Sequence, residues 1–257
     1  MISPKISIVI PSYNKVRFIG KTLDSIFSQE YPNLEVIIED GNSDDGTLKI
    51  IKEYANKYKS IKWESKKDKG QLDAINKGLK KAKGDIATFI NADDIYAKNS
   101  FSDVSDTYRN NPDALWFAGR GTVINGEGKE IAGIVTWYKS LLLSLNHKSL
   151  ILILDYLMQP SVFLTKKAYL KYGPFTGTND FVTEYDLWLR LANVRMPIII
   201  DKTLSRFRIE PSTKTKTMFK SLLAEDKKIV KKYTANLLIL FLHDLHNLGR
   251  TVIGTFI

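Results

Sequence analysis

The sequence predicts an α/β fold built on a mainly parallel β-sheet, and two observations lead to this expectation. Short runs of apolar and β-branched residues recur along the first hundred residues, and stretches with apolar residues at helical spacing separate them. Strands that alternate with helices of this length pair in parallel through right-handed crossovers. The predicted strands are residues 6–11, 34–40, 61–65 and 86–90, and the predicted helices are residues 16–29, 45–58 and 72–83.

The second half of the chain departs from this alternation. Its predicted elements are a strand at residues 115–125 with a hairpin turn after it, a leucine-rich helical stretch at 141–158, a helix at 184–192 and a last buried strand at 198–200. No long linker interrupts the chain, so we predict one domain over residues 1–216, with halves at 1–100 and 101–216. Residues 217–257 are predicted to form a helical tail with an amphipathic pattern.

Composition narrows the possible classes of protein. The 257 residues are 44% hydrophobic and 26% charged, which is ordinary globular composition, and they include no cysteine, which excludes disulfides and cysteine-based zinc sites. The net charge of +10 suits a phosphorylated substrate, nucleic acid or an anionic membrane, although a lysine-rich solvated surface explains it equally well. The strands are apolar and lack interleaved aromatic and basic residues, so we expect no nucleic-acid partner.

The predicted tail carries lysines beside its apolar stripe. Such a helix can lie on an anionic membrane surface, or it can pack against the domain or a partner subunit, and both interpretations stay open. The N-terminal residues do not predict a signal peptide, and no apolar run approaches the length of a membrane span. We therefore expect a cytoplasmic protein, with peripheral attachment to the inner face of the cell membrane as the open alternative.

Two adjacent carboxylates follow the fourth predicted strand. Asp93 and Asp94 would repel each other at close range unless a divalent cation lay between them, and Mg²⁺ or Mn²⁺ prefers such oxygen ligands. The competing interpretation is an exposed Asp-rich turn. The first and second strands also end in polar residues, at Ser12 and Asp40, and ligands of parallel sheets bind at this edge.

Six segments of the sequence together resemble the inverting glycosyltransferases of family 2. Members of that family have the GT-A fold, which is a Rossmann-like sheet flanked by helices. The six segments occur in that family's order over about residues 5–210. The segments are Ile8-Val9-Ile10-Pro11-Ser12-Tyr13-Asn14, residues 39–47, residues 68–78, Asn91-Ala92-Asp93-Asp94, residues 159–163 and residues 184–190.

The resemblance implies a nucleotide-sugar donor, usually a UDP-sugar, bound with Mn²⁺ or Mg²⁺ held by Asp93. Asn91 stands where this family often has the first acid of its metal motif, so one negative charge is lost. Packing of Tyr13 at the sheet edge and a helix-dipole role for Asp73 are the competing structural interpretations. The implied donor-binding residues are Pro11, Ser12, Tyr13, Asn14, Asp40, Gly70, Asp73, Asn91, Ala92 and Asp93.

The resemblance also implies a catalytic base near the start of a helix. Glu184 is the predicted base and Asp186 the second candidate, although acids in a first helical turn also simply favour the helix dipole. Thr183 stands where the family often has another acid. The resemblance further places Asp94, Gln159 and Trp188 near the donor or acceptor sugar, and Arg208 near a phosphate.

The function implied is transfer of a sugar, of the hexosyltransferase type, from a nucleotide-sugar to an acceptor hydroxyl with inversion. The acceptor implied is a saccharide or a lipid-linked saccharide, in the synthesis of cell-surface polysaccharide, lipopolysaccharide or glycolipid. The departures at Asn91 and Thr183 keep open an alternative, a nucleotide-sugar-binding module without catalysis.

Overall fold

The computed structural model describes residues 3–177, 182–210 and 218–254. Its first half has the predicted alternation of strands and helices. These elements are β1 (Ile6–Ser12), α1 (Ile19–Phe27), β2 (Leu34–Asp40), α2 (Thr47–Lys57), β3 (Ile61–Ser65), α3 (Gln71–Lys81) and β4 (Ile86–Phe89). Strand β1 pairs in parallel with β2 and β4, and β2 pairs in parallel with β3, which confirms the predicted parallel sheet for this half.

The second half extends the same sheet with mixed pairing. Its elements are β5 (Ile95–Tyr96), α4 (Ser100–Asn110), β6 (Trp116–Ile124), β7 (Glu130–Ile131), α5 (Gly133–Leu145), α6 (Lys148–Ile153), a 3₁₀ turn (Gln159–Ser161), β8 (Val162–Thr165), α7 (Lys166–Tyr172), β9 (Thr176–Gly177), β10 (Val182–Thr183), α8 (Glu184–Ala192) and β11 (Ile198–Arg208). The order is β3-β2-β1-β4-β8-β6-β11-β5, with β7 paired to β6. Strand β8 runs antiparallel to both β4 and β6.

Strand β11 is much longer than the sequence pattern indicated. We predicted a strand at residues 198–200, and the structure has one from Ile198 to Arg208. The pairing of β11 with β6 shifts register between Ile200 and Ser205, where exposed polar residues interrupt the apolar pattern. This extension brings Arg208 next to Asp93 and Asp94, which follow the carboxyl end of β4.

Helix α3 packs closely on the central strand of the parallel half. A Cβ atom added at Gly78 would lie 2.3 Å from Val9 Cγ1, so only glycine allows this approach. Val9, Ile75 and Leu79 share one core on this face, whereas Ile8 and Ile10 point to the other face of the sheet. The close packing brings the start of α3 beside the carboxyl ends of the strands.

The tail forms two helices rather than one continuous stripe. They are α9 (Phe219–Tyr233) and α10 (Leu237–Gly254), with Asn236 capping the second through its side chain. Helix α9 packs against α8, and α10 packs against α6 and α9. Within the described ranges, none of the helices combines the length and apolarity needed to cross a bilayer.

Candidate active site

The carboxyl ends of β1 and β2 bring two predicted donor residues side by side. Ser12 and Asp40 are direct register partners, and both are buried. The Asp40 carboxylate accepts four hydrogen bonds, from the backbone N–H groups of Asn42 and Ser43 and from the hydroxyls of Ser43 and Ser65, at 2.6–3.1 Å. Because these bonds use about all the acceptor capacity of a carboxylate, Asp40 holds the turn that borders the site.

Tyr13 lies beyond this pair and is 60% exposed. A Cβ atom added at Gly41 would lie 3.3 Å from Tyr13 Cδ2 and 3.2 Å from Asp68 Oδ2, so these three residues are neighbours. Asp68 was not among our predicted site residues, although it lies in one of the matched segments. An exposed aromatic face beside a carboxylate is suited to stacking a base and accepting its N–H or a ribose hydroxyl.

The other predicted donor residues support this edge in different ways. Pro11 and Ala92 are buried, and the Ser12 hydroxyl is buried without a hydrogen-bond partner in the described part of the chain. Asn14 has φ of 50° and accepts the Asp44 N–H at 3.1 Å, which shapes the loop after β1. Gly70 has φ of 110°, which favours glycine, and its N–H donates to Asp68.

Asp73 is engaged within its own helix. Its carboxylate pairs with Lys77 Nζ at 2.7 Å, and the hydrogen bond from Lys77 is the main cause of its lowered pKa. The Lys69 N–H also donates to it at 3.2 Å. Asp73 therefore stabilises the start of α3, and its predicted contact with ribose or pyrophosphate stays a prediction.

The segment after β4 separates its two aspartates. Asp94 is fully buried and accepts the Arg208 N–H at 2.7 Å and an Asn91 amide proton at 3.2 Å. Burial, and secondly the charge of Asp93, raise the pKa of Asp94 well above its usual range. Our expectation that Asp94 meets a sugar was wrong, because its oxygens face the protein interior.

We expect Asn91→Asp to destabilise the protein rather than complete a metal motif. The change removes the amide donor to Asp94 and places a second carboxylate beside it. Loss of this buried bond predicts a fall of about 1–3 kcal/mol in the free energy of unfolding, measured with urea. The control Asn56→Asp, at an exposed position of α2, should change it by less than about 0.5 kcal/mol. Equal stability of the two variants would contradict this prediction.

Asp93 keeps a partly exposed carboxylate, which forms an ion pair with the ammonium group of Lys15. Its side chain is 15% exposed, and Lys15 Nζ lies 2.5 Å from Oδ2. The described residues contain no cluster of three or more acidic or histidine side chains that could enclose a metal. Magnesium sites, however, commonly use one or two carboxylates and complete their coordination with substrate phosphates and water. Asp93 therefore fits a metal shared with a diphosphate, provided that the Lys15 ammonium moves aside.

Arg208 is buried and makes hydrogen bonds within the protein instead of the predicted contact with a phosphate. It is 2% exposed, and its guanidinium donates to the carbonyls of Asp93, Asn125 and Gly126 at 2.6–3.1 Å. Its side chain also lies over the Phe18 ring, 4.8 Å from the centroid. The predicted contact was wrong because the residue is covered and three of its five side-chain N–H groups already donate to carbonyls.

Gln159 joins the two predicted halves of the domain. Its amide donates to the Phe89 carbonyl at 2.8 Å, at the end of β4. Its Oε1 is buried without a hydrogen-bond partner among the described residues, which leaves an acceptor available to a ligand hydroxyl. Gln159 therefore lies close to the strand that leads to Asp93, and its contact with a sugar stays a prediction.

Trp188 belongs to the core, and its predicted sugar contact was wrong. It is 2% exposed and stacks on Trp116 with ring centroids 5.6 Å apart. Phe175 contacts both Trp188 and Phe89 edge to face, at 5.8 and 5.1 Å. This row of aromatic rings packs helix α8 against the end of β4, which brings the predicted base towards the segment with Asp93.

Glu184 begins helix α8 and is partly buried. Burial raises its pKa to about 8, and the carboxylates of Asp155 and Asp226 add to the shift. A carboxylate with a pKa close to neutral pH is much better suited to remove a hydroxyl proton than an ordinary glutamate. Sequence reasoning missed Asp155 and Asp226, which lie in the loop after α6 and on α9, far from Glu184 in sequence.

Asp186 is an anchor for neighbouring elements rather than an accessible acid. Its carboxylate accepts bonds from the Thr176 and Tyr233 hydroxyls, both at 3.0 Å, and lies 3.1 Å from Arg190 Nε. The last contact joins residues one helical turn apart on α8. With these contacts and 5% exposure, Asp186 is unsuited to be the base. It joins α8 to β9 and to the tail helix α9.

We expect Asp186→Asn to lower stability much more than turnover. Weakening hydrogen bonds to a buried charged group predicts a loss of about 1.5–3 kcal/mol in the free energy of unfolding. The kcat of the folded protein should fall by less than about tenfold, because Glu184, the predicted proton acceptor, is retained. Urea unfolding and turnover by the folded fraction check this, and a loss of activity equal to that of Glu184→Gln would restore Asp186 as a candidate base.

Comparison with known proteins identifies the class to which this arrangement belongs. The family model described as glycosyl transferase family 2 matches residues 7–166, more than half of the chain. The chain therefore belongs to this family.

Individual relatives carry the same class of name. An uncharacterized glycosyltransferase of Rickettsia felis is 28% identical over 218 residues, which are 82% of this chain and 35% of that protein. The chain thus spans about a third of the length of that relative. A dolichyl N-acetyl-α-D-glucosaminyl phosphate 3-β-D-2,3-diacetamido-2,3-dideoxy-β-D-glucuronosyltransferase of Methanococcus voltae is 36% identical over 125 residues, 47% of this chain and 39% of that protein.

Solved structures confirm the GT-A fold. S. aureus TarS in complex with UDP-GlcNAc superposes with a TM-score of 0.68 at 19% identity, covering 92% of this chain and 69% of the TarS chain. The mannosyltransferase PcManGT of Pyrobaculum calidifontis, in complex with GDP-Man and Mn²⁺, gives 0.65 at 16% identity, covering 98% and 76% of the two chains.

Proposed function

We propose that this family 2 chain is a glycosyltransferase that uses a UDP-sugar and a divalent cation to glycosylate an acceptor hydroxyl with inversion. One observation carries the proposal, which is that two carboxylates with different properties belong to elements packed together. Asp93 is partly exposed and paired with the Lys15 ammonium, and Glu184 has a pKa of about 8. Phe175 packs the end of β4, which precedes Asp93, against α8, which begins at Glu184. The first carboxylate supports binding of a diphosphate with a metal, and the second supports proton removal from an acceptor.

In the proposed reaction Glu184 removes the proton from the acceptor hydroxyl as its oxygen bonds to the anomeric carbon. The bond between that carbon and the diphosphate oxygen breaks on the opposite face, and UDP leaves. A metal held by Asp93 would supply positive charge to the departing diphosphate. Lys15, which lies against Asp93, is placed to contact the same phosphates, and Tyr13 and Asp68 would hold the nucleoside.

Two further parts of the proposal concern the acceptor and the division of the chain. A relative named for a dolichyl-linked sugar phosphate supports a lipid-linked saccharide as the acceptor, and so a role in cell-surface polysaccharide or glycolipid synthesis.

We also propose that residues 1–216 form the catalytic domain and 217–257 an accessory tail. Contacts of α9 with Asp186 support a role of this tail in holding α8.

Thermal unfolding with UDP, GDP or dTDP, each with and without Mn²⁺, tests the donor proposal. A ligand that binds only the folded state raises the melting temperature, by an amount that grows with the logarithm of its affinity. We expect a shift with UDP that requires Mn²⁺. A shift with GDP alone would reject UDP as the nucleotide, and no shift with any nucleotide would reject the donor site.

A further inference from the structure

Helix α5 presents an apolar face to solvent. Five large hydrophobic side chains on it are between 37% and 83% exposed, and their spacing places them on one side of the helix. These residues are Ile134, Trp137, Tyr138, Leu141 and Leu145. The opposite side is anchored inward, where Lys139 Nζ donates to the carbonyls of Asp155 and Leu157 at 3.0 and 3.1 Å.

Helix α10 presents a second face of the same kind. Five of its side chains are between 53% and 81% exposed and also follow helical spacing: Leu237, Leu238, Phe241, Leu245 and Leu248. Its inner side is fixed by His243, whose Nδ1 lies 2.9 Å from the Ile153 carbonyl oxygen, and by Arg250, which pairs with Asp226 at 3.0 Å. Because polar contacts fix both helices, the exposed faces are part of the folded structure.

Helices α5 and α10 touch beside these two faces. The ring of Tyr138 on α5 lies 6.3 Å from the ring of His246 on α10, at an interplanar angle of 24°. Ten large exposed apolar residues on two touching helices are more than the hydrophobic residues that are scattered singly on a soluble surface. We call these ten residues the α5–α10 face.

Charge indicates what covers the α5–α10 face. Helices α5 and α10 hold three charged residues, Lys139, Asp244 and Arg250, and the two basic ones are turned inward. Helix α9, which packs against α10, carries five lysines against two acidic residues, a net charge of +3. Two copies of the protein meeting through the α5–α10 face would bring these lysines towards each other, whereas anionic lipid headgroups would meet them favourably. Trp137 and Tyr138 are residue types that favour the boundary between lipid and water.

We propose that the α5–α10 face docks on an anionic lipid bilayer, with both helices lying in the plane of the interface. The inner sides of the same helices contact the backbone carbonyl of Asp155 and the carboxylate of Asp226, the two residues whose charges act on Glu184. Docking would therefore hold the catalytic base close to the membrane surface. A membrane-borne acceptor follows from this geometry, and that part of the inference rests on the proposed function.

Co-sedimentation with lipid vesicles tests the docking. We expect the full chain to bind vesicles of phosphatidylcholine with phosphatidylglycerol, and to bind phosphatidylcholine alone much less. The double variant Trp137→Asp with Phe241→Asp should lose about a hundredfold in partitioning, because two apolar side chains that would enter the bilayer are replaced by charges. Leu170→Asp is the matched control, since Leu170 is 69% exposed on α7, outside the α5–α10 face, and this variant should bind as wild type does.

Three results would overturn the proposal: no binding of wild type to anionic vesicles, equal losses in the double variant and the control, or a dimer by light scattering that the double variant converts to a monomer. The last would assign the face to a second copy of the chain. Circular dichroism of the double variant verifies that it is folded. The UDP and Mn²⁺ melting shift separates the two proposals, because its absence in wild type would reject the donor site while leaving vesicle binding intact.

Discussion

Replacing Glu184 by glutamine is expected to lower kcat by about 10²–10⁴-fold, the usual contribution of a general base, while leaving UDP affinity unchanged. Glutamine preserves the shape of the side chain at the start of α8 and removes only its capacity to take a proton. The measurement is release of UDP from a UDP-sugar in the presence of acceptor, alongside titration of UDP binding. The alternative of a binding module without catalysis predicts no turnover in wild type and no difference between the two proteins.

The pH dependence gives this prediction a second signature. Glu184 must be ionised to accept a proton, and its pKa is raised to about 8, so kcat should rise with pH until about pH 8 and then level off. Asp226→Asn removes one of the charges that raise this pKa and should move the rise to lower pH. Asp244→Asn, which removes an exposed partner of Lys227, is the control and should leave the profile unchanged. A profile governed by a group with an ordinary carboxylate pKa would contradict Glu184 as the base.

Replacing Asp93 by asparagine is expected to remove the Mn²⁺ dependence of UDP binding and to lower kcat by about 10²–10³-fold. The variant loses the accessible charge that fits a metal beside the diphosphate, and it also loses the ion pair with Lys15. Folding should be retained, since the pair is partly exposed and pairs of this kind contribute about 0–1 kcal/mol. The measurement is UDP affinity and turnover over a range of Mn²⁺ concentrations.

Asp73→Asn is the matched control for Asp93. It removes an acid at the same edge of the sheet whose partner, Lys77, lies on its own helix. This variant should keep the Mn²⁺ dependence of UDP binding. If it abolished that dependence while Asp93→Asn preserved it, the metal would have to be reassigned to the start of α3.

The sequence predicts that Ser12, Asp40 and Asp93 lie at one edge of the sheet, because the relevant signals are local. These residues follow apolar runs that are typical of buried strands, and strands joined by helical crossovers align their carboxyl ends. Glu184 at the start of α8 is also a local signal, visible in the pattern of its helix. These positions could be found without knowing which distant segments pack against them.

The errors concern residues whose burial depends on distant partners. Arg208 is covered because β11 continues past its apolar start and carries the side chain beneath the carbonyls of Asn125 and Gly126. Asp94 accepts the backbone N–H of Arg208, a contact across 114 residues of sequence. Local periodicity carries no information about such pairs, so Arg208 and Asp94 were mistaken for ligand contacts.

The properties of Glu184 likewise arise from tertiary structure. Its raised pKa depends on burial and on Asp155 and Asp226, which reach it from the loop after α6 and from the tail. The tail showed an amphipathic pattern in the sequence, but its break into two helices and its contact with Asp186 were not visible there. Only the folded structure brings these carboxylates to Glu184.

Calorimetric titration of UDP, with and without Mn²⁺, into wild type, Asp93→Asn and Glu184→Gln tests the central claim most directly. We predict binding that Mn²⁺ strengthens in wild type and in Glu184→Gln, and weak binding insensitive to Mn²⁺ in Asp93→Asn. This pattern would separate donor binding at Asp93 from proton transfer at Glu184. Equal UDP affinity in all three proteins, with no effect of Mn²⁺, would contradict the assignment of Asp93 and of metal-assisted transfer.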